Sequence, residues 1–139
     1  EAGLCGFTDP DNRRTYPWGR EDYQMIDFHR VMIRIHKRYE VLKTGSLGFL
    51  WNDYQGLCYA RFSRKEQIIV IINNQEESRE VEIQLYQAGI SRLEDTKFER
   101  VVVTSSEGFT EEKKEYTASA GILKIIMPTF GAVVLYHKN

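Results

Sequence analysis

Two neighbouring stretches decide the fold: Ile68-Ile69-Val70-Ile71-Ile72-Asn73-Asn74, and Arg79-Glu80-Val81-Glu82-Ile83-Gln84-Leu85. The first is a short apolar run of β-branched residues, which predicts a strand covered on both faces. The second alternates apolar and charged residues, which predicts a strand with one face in water, returning antiparallel. The polar residues 73–78 between them read as a turn. Outward from this pair the pattern persists. Leu47, Phe49 and Trp51 alternate, Leu57 to Phe62 forms a further run, and Arg100 to Thr104, Ile122 to Met127 and Ala132 to Tyr136 complete the set. Residues 105–120 are polar and charged, with at most a weak edge strand around Tyr116. About seven or eight short strands separated by turns close most naturally as an antiparallel β-sandwich.

The first forty residues are of another kind. Residues 1–20 carry Gly3, Gly6, Pro10, Pro17 and Gly19 and the turn-forming Asp9-Pro10-Asp11-Asn12, so they read as a loop. Residues 21–38 read as a helix opened by Glu21 and Asp22 and closed by His36, Lys37 and Arg38, a charge order that suits the helix dipole. Met25, Phe28, Met32 and Ile35 share one face, and Ile26, Val31 and Ile33 widen it. Such a helix needs a substantial partner surface, and a homodimer through the helix is one way to provide it.

Composition narrows the function. At 139 residues, 42% hydrophobic and 28% charged with a net charge of −1, the chain can form one ordinary core and lacks the basic excess of nucleic-acid or membrane-surface binders. No apolar run approaches the roughly 18 residues that span a bilayer. Cys5 and Cys58 are far apart with no metal-ligand spacing and read as free, mostly buried thiols, with a single disulfide as the alternative. His29, His36 and His137 form no zinc pattern, and the sequence calls for no metal and no cofactor.

The leader, Glu1-Ala2-Gly3-Leu4-Cys5-Gly6-Phe7-Thr8-Asp9-Pro10-Asp11-Asn12-Arg13-Arg14-Thr15-Tyr16-Pro17-Trp18, resembles the stretch after the eighth barrel strand in the α-amylase superfamily, glycoside hydrolase family thirteen. The neopullulanase, cyclomaltodextrinase and maltogenic amylase group shows the pattern Gly-Asp-Glu-x-Gly, a short gap, then Asp-Pro-Asp-x-Arg and a Trp. Glu1 and Gly3 match the end of the first element; Asp9, Pro10, Asp11 and Arg13 match the second. Val41 to Leu47, the Ile-rich strand before Asn73-Asn74, and Pro128 to Leu135 follow in the family's order. The resemblance implies residues 1–45 as the end of a (β/α)8 barrel, the loop after its eighth strand and its last helix. Residues 46–139 would then be the C-terminal sandwich called domain C, with Greek-key connections.

It further implies a C-terminal piece of a retaining α-glucan hydrolase or transglycosylase acting on α-1,4 and α-1,6 bonds in starch, pullulan or cyclodextrins. Retaining chemistry needs two carboxyl groups about 5–5.5 Å apart. The family draws them from the fourth and fifth barrel strands, with another aspartate in a His-Asp pair. No Arg-x-Asp after an apolar strand, no Glu-x-Trp and no His-Asp pair occurs here, so no residue of this chain is assigned as catalytic. The resemblance implies Asp9 and Arg13 as substrate-binding residues for an α-glucan oligosaccharide in the intact enzyme, where their counterparts hydrogen-bond glucose hydroxyls. A carboxylate accepts from two hydroxyls and a guanidinium donates in a fixed fork. The competing expectation is that the two merely pair with each other. Tyr16 could stack on a sugar, while Trp18 and Trp51 are expected to pack. A stand-alone carbohydrate-binding or structural sandwich, using Trp51 and Tyr54, is the alternative to the enzyme piece.

Overall fold

A computed structural model describes all 139 residues and divides them into two compact units, Glu1–Arg38 and Tyr39–Asn139. The first unit is the leader loop followed by helix α1 (Tyr23–Arg38). Asp22 precedes the helix and caps it: its Oδ1 accepts the Met25 N–H at 3.0 Å, satisfying one of the first-turn donors. The expected start at residue 21 therefore moves by two, with Asp22 outside the helix. Val31 and Ile35, one turn apart, are buried on α1, while Met25 and Ile33 remain exposed, so the buried stripe is narrower than the apolar pattern.

In the second unit, a short helix α2 (Glu40–Thr44) leads into strands β1 (Ser46–Asp53), β2 (Gly56–Phe62), β3 (Glu66–Asn73), β4 (Arg79–Gln84), β5 (Thr96–Ser105), β6 (Gly108–Thr110), β7 (Glu115–Ser119), β8 (Ile122–Met127) and β9 (Ala132–Lys138). All ladders are antiparallel, and the hydrogen-bonded path runs β1-β2-β3-β9-β5-β7-β8-β4, with β6 beside β5. This is the mainly-β antiparallel sandwich that the strand pattern predicts. The path folds over at β5, whose Thr96–Glu99 end pairs with β7 while Glu99–Val103 pairs with β9, across a bulge between Arg100 and Val102. A bulge adds one residue to one strand and sharpens its bend. One strand thus serves both layers.

The β3 run sits between β2 and β9, with Ile68, Ile69 and Ile71 fully buried. Ile69 and Ile71 face inward with Cys58, Ala60, Val133 and Leu135, against Ile83, Leu123, Ile125 and Met127 of the other layer. The alternation of β4 is as read, with Val81 and Ile83 buried and Glu80 and Glu82 exposed. Its partner differs: β4 does not return along β3 but crosses to β8 at the far end of the path. Period-two patterning fixes which face is buried and carries no information on the neighbour.

Two further expectations are corrected. The strand around Tyr116 is no edge; β7 lies between β5 and β8, with Ala118 fully buried and Tyr116 packed on the core. On β1, Leu47 and Phe49 are exposed, because a bulge between Phe49 and Trp51 shifts the phase and brings Leu50 and Trp51 onto the core. Gly56 lies beneath the Trp51 ring, where any Cβ would collide with the indole and the Ile72 carbonyl.

Both cysteines are free. Cys58 is buried and its thiol is pushed up to about 12 by desolvation, whereas Cys5 is exposed, so the expectation of two buried thiols holds for Cys58 alone. Thiolate is the reactive form. A thiol-specific reagent at mildly alkaline pH should therefore label one cysteine per native chain, and both after denaturation; rapid native labelling of both would contradict the burial of Cys58.

Candidate functional site

The leader is built around Asp11. Its backbone N–H donates to Thr8 O at 2.7 Å, and its carboxylate accepts the Phe7 N–H at 2.9 Å and Arg14 Nε at 3.0 Å. Arg14 also donates through Nε to Asp11 O at 3.1 Å and pairs with the carboxylate through Nη2. The guanidinium and then the Phe7 amide hold the Asp11 carboxyl below its usual range. Asp11 and Arg14 are thus the clip of the turn, and Arg13 N–H donates to Pro10 O at 3.0 Å to close it.

Asp9 and Arg13 flank that turn and meet: Arg13 Nε lies 2.7 Å from Asp9 Oδ1, with both side chains more than half exposed. An exposed pair of this kind contributes at most about 1 kcal/mol to stability. The structure therefore brings the two sequence-predicted site residues together on the surface, in contact with one another. Tyr16 and Trp18 stack in a tilted pair with ring centroids 4.6 Å apart. Trp18, expected to pack, is 79% exposed, and Tyr16 is half-exposed. Beside them lies a cleft of about 650 Å³ lined by Leu4, Arg14, Tyr16, Pro17, Tyr23 and Arg30 among others, which neither Asp9 nor Arg13 reaches.

A second cleft, of about 580 Å³, lies at one end of the sandwich. The sequence reading missed its organising residue, Arg79. Arg79 Nη2 sits 2.9 Å from Asp53 Oδ2, Nη1 donates to Gln55 Oε1 at 2.9 Å, and the guanidinium lies over the Trp51 ring at 4.8 Å. It joins β4 to β1, the two ends of the hydrogen-bonded path, and holds the Asp53 carboxyl below its usual range. No spacing rule connects residues 51, 53 and 79; only the closed sandwich does. No group of three or more His, Cys, Asp or Glu side chains is placed to hold a metal, and no helix is long and apolar enough to cross a membrane.

No family model matches the chain. Among curated proteins it is similar over its full length to the amylopullulanase of Thermoanaerobacterium saccharolyticum, at 32% identity, and spans 11% of that protein. It is 30% identical to neopullulanase 2 of Thermoactinomyces vulgaris over 64% of the chain, covering 16% of that protein. In structure, 98% of the chain superposes on 27% of an α-amylase of Geobacillus thermoleovorans, with a TM-score of 0.76 and 17% identity. A debranching enzyme of Nostoc punctiforme shares the fold with a TM-score of 0.69 over 96% of the chain and 26% of that protein, at 22% identity. The chain thus spans only 11% and 16% of the length of these two curated relatives, an amylopullulanase and a neopullulanase.

Proposed function

We propose, for a chain that belongs to the α-amylase superfamily, that it is the non-catalytic end of a retaining α-glucan hydrolase or transglycosylase. Its leader would contribute Asp9 and Arg13 to the substrate site. The observation that carries this reading is the company the pair keeps. The Asp-Pro-Asp-x-Arg turn and the domain C sandwich occur in one chain, in the family's order, and the similarity to an amylopullulanase runs through both.

The geometry supports a sugar role in a specific way. The pair uses Arg13 Nε and Asp9 Oδ1. That leaves the second carboxylate oxygen to accept a hydroxyl and the terminal guanidinium nitrogens to donate to another, the complement of a vicinal diol. Arg14 and Asp11 fix the turn independently, so the Asp9–Arg13 pair is not required for its shape. In this reading bond cleavage belongs to carboxylates elsewhere in the protein.

Hydrogen bonds to a charged group contribute about 1.5–3 kcal/mol each. In the full-length protein carrying this chain, Asp9→Ala and Arg13→Ala should each lower kcat/KM on maltooligosaccharides by about 10- to 100-fold, with the unfolding midpoint unchanged. The 139-residue chain alone should release no reducing sugar from maltooligosaccharides or pullulan. Turnover by the chain alone would overturn the non-catalytic assignment, and unchanged kcat/KM in both variants would overturn the sugar role.

A further inference from the structure

The cleft at the end of the sandwich has features that the leader site does not explain. It is formed where three loops meet: the β1–β2 turn at Gln55, the β3–β4 loop through Asn74, Gln75, Glu76 and Glu77, and the β8–β9 loop at Phe130. These loops are tied by backbone hydrogen bonds, Asn74 N–H to Gln55 O at 2.8 Å and Phe130 N–H to Gln75 O at 2.9 Å. Beneath them Asn73 donates through Nδ2 to Glu77 O and Pro128 O, both at 2.9 Å. A cleft held in this way needs little ordering before a ligand binds.

Phe130 lines the cleft, is half-exposed, and adopts φ +42°. For a bulky residue this left-handed conformation is costly, and glycine or asparagine takes it far more readily. The chain thus keeps an aromatic ring at a position where backbone and solvent both disfavour one. Such outliers gather at binding sites. Tyr54, fully exposed, adjoins Gln55 on the neighbouring turn.

The chemistry of the lining selects the ligand. The one guanidinium, of Arg79, is committed to Asp53, Gln55 and Trp51, while Glu76 and Glu77 are acidic, so an anion is disfavoured. What remains is an aromatic face beside amides and carboxylates that accept and donate at close range. That set matches a neutral polyhydroxylated ligand, whose apolar ring face lies on an aromatic ring while its hydroxyls meet amides and carboxylates. The volume falls within the range of about 300–1,000 Å³ typical of small-ligand sites. We propose that this cleft is a second, non-catalytic α-glucan-binding site, with Phe130 as its stacking platform. The choice of α-glucan among neutral sugars rests on the function proposed above; the site itself rests on the cleft.

The test is titration of the 139-residue chain with maltoheptaose, followed by calorimetry and amide NMR shifts, with cellohexaose as the comparison sugar. The expected result is binding in the millimolar range with shifts confined to residues 54–55, 74–79 and 128–131. Phe130→Asn should weaken it at least about tenfold while leaving the melting temperature equal or higher, since asparagine suits the backbone there. Glu76→Gln with Glu77→Gln should weaken it without loss of fold, and Asp9→Ala should leave it intact. No binding at high millimolar maltoheptaose, or binding unaffected by Phe130→Asn, would overturn the cleft while leaving the kinetic role of Asp9 and Arg13 to its own test. Equal binding of cellohexaose would overturn the α-glucan assignment. Shifts confined to the leader would overturn the second site and favour the first.

Discussion

Phe98→Ala is expected to lower the stability of the sandwich by about 3–5 kcal/mol, the range for removing a large buried aromatic. Phe98 is the largest fully buried side chain, and it lies on β5 in the stretch paired with β7, just before the strand passes to β9. Its ring meets the His137 imidazole with centroids 5.4 Å apart, and it belongs to the core shared by both layers. Truncation therefore opens a cavity at the fold-over itself, where β-strands on either side cannot move inward without breaking ladders. Phe98→Leu, which keeps most of the volume, should cost well under half as much. Urea unfolding followed by far-ultraviolet circular dichroism would read both as shifts in midpoint at unchanged slope. A loss below about 1 kcal/mol for the alanine variant would mean that the two layers do not depend on this contact.

The contrast between Phe98 and Ile69 indicates what sequence reading can reach. The apolar run around Ile69 identifies itself as a strand and lies as expected in the centre of a layer, but it is sealed only on the face of Ile69 and Ile71; on the other face Ile68 is buried while Val70 and Ile72 are half-buried. The faces of β4 were equally legible from Val81 and Ile83. Nothing local marks Phe98 as the hinge of the sandwich, because that role comes from the change of partner along β5 and the bulge after Arg100. The bulge at Leu50 defeated a clean alternation in the same way, with Phe49 exposed and the half-buried Leu50 and Trp51 both packed on the core. Strand partners were hidden too, since β4 finds β8 through the crossover of the whole chain. The leader was legible as a motif, and in the structure Asp9 and Arg13 pair with each other, the contact that the competing expectation named. Arg79 was not legible at all. Its partners come from a strand more than twenty residues earlier, and only closure of the sandwich brings them within reach.

Asn73→Asp is the substitution that separates burial from shape. The two side chains are nearly the same size, yet the asparagine is 2% exposed and spends both amide hydrogens on carbonyls of different loops, Glu77 O and Pro128 O. A carboxylate there supplies no donor and faces two oxygens. Each carbonyl left without a partner costs about 1–3 kcal/mol, and the introduced group would have to be protonated or buried as an ion. We expect a loss of about 3–5 kcal/mol at neutral pH. The pH dependence has a definite sign. Burial and the two carbonyl dipoles raise the folded-state value of the introduced carboxyl above its unfolded value of about 3.9. The penalty is therefore smallest below that value, where the proton is already bound and can serve one carbonyl, and it grows as pH rises towards the folded value. Asp53 runs the other way: Arg79 lowers its folded value, so its contribution is present above the unfolded value and is lost as pH falls through the folded one. Urea midpoints of the wild type and of Asn73→Asp at acid and neutral pH should converge at the acid end. A constant gap would mean that the cost is steric, and that the loops around the cleft are held by something other than the two donors of Asn73.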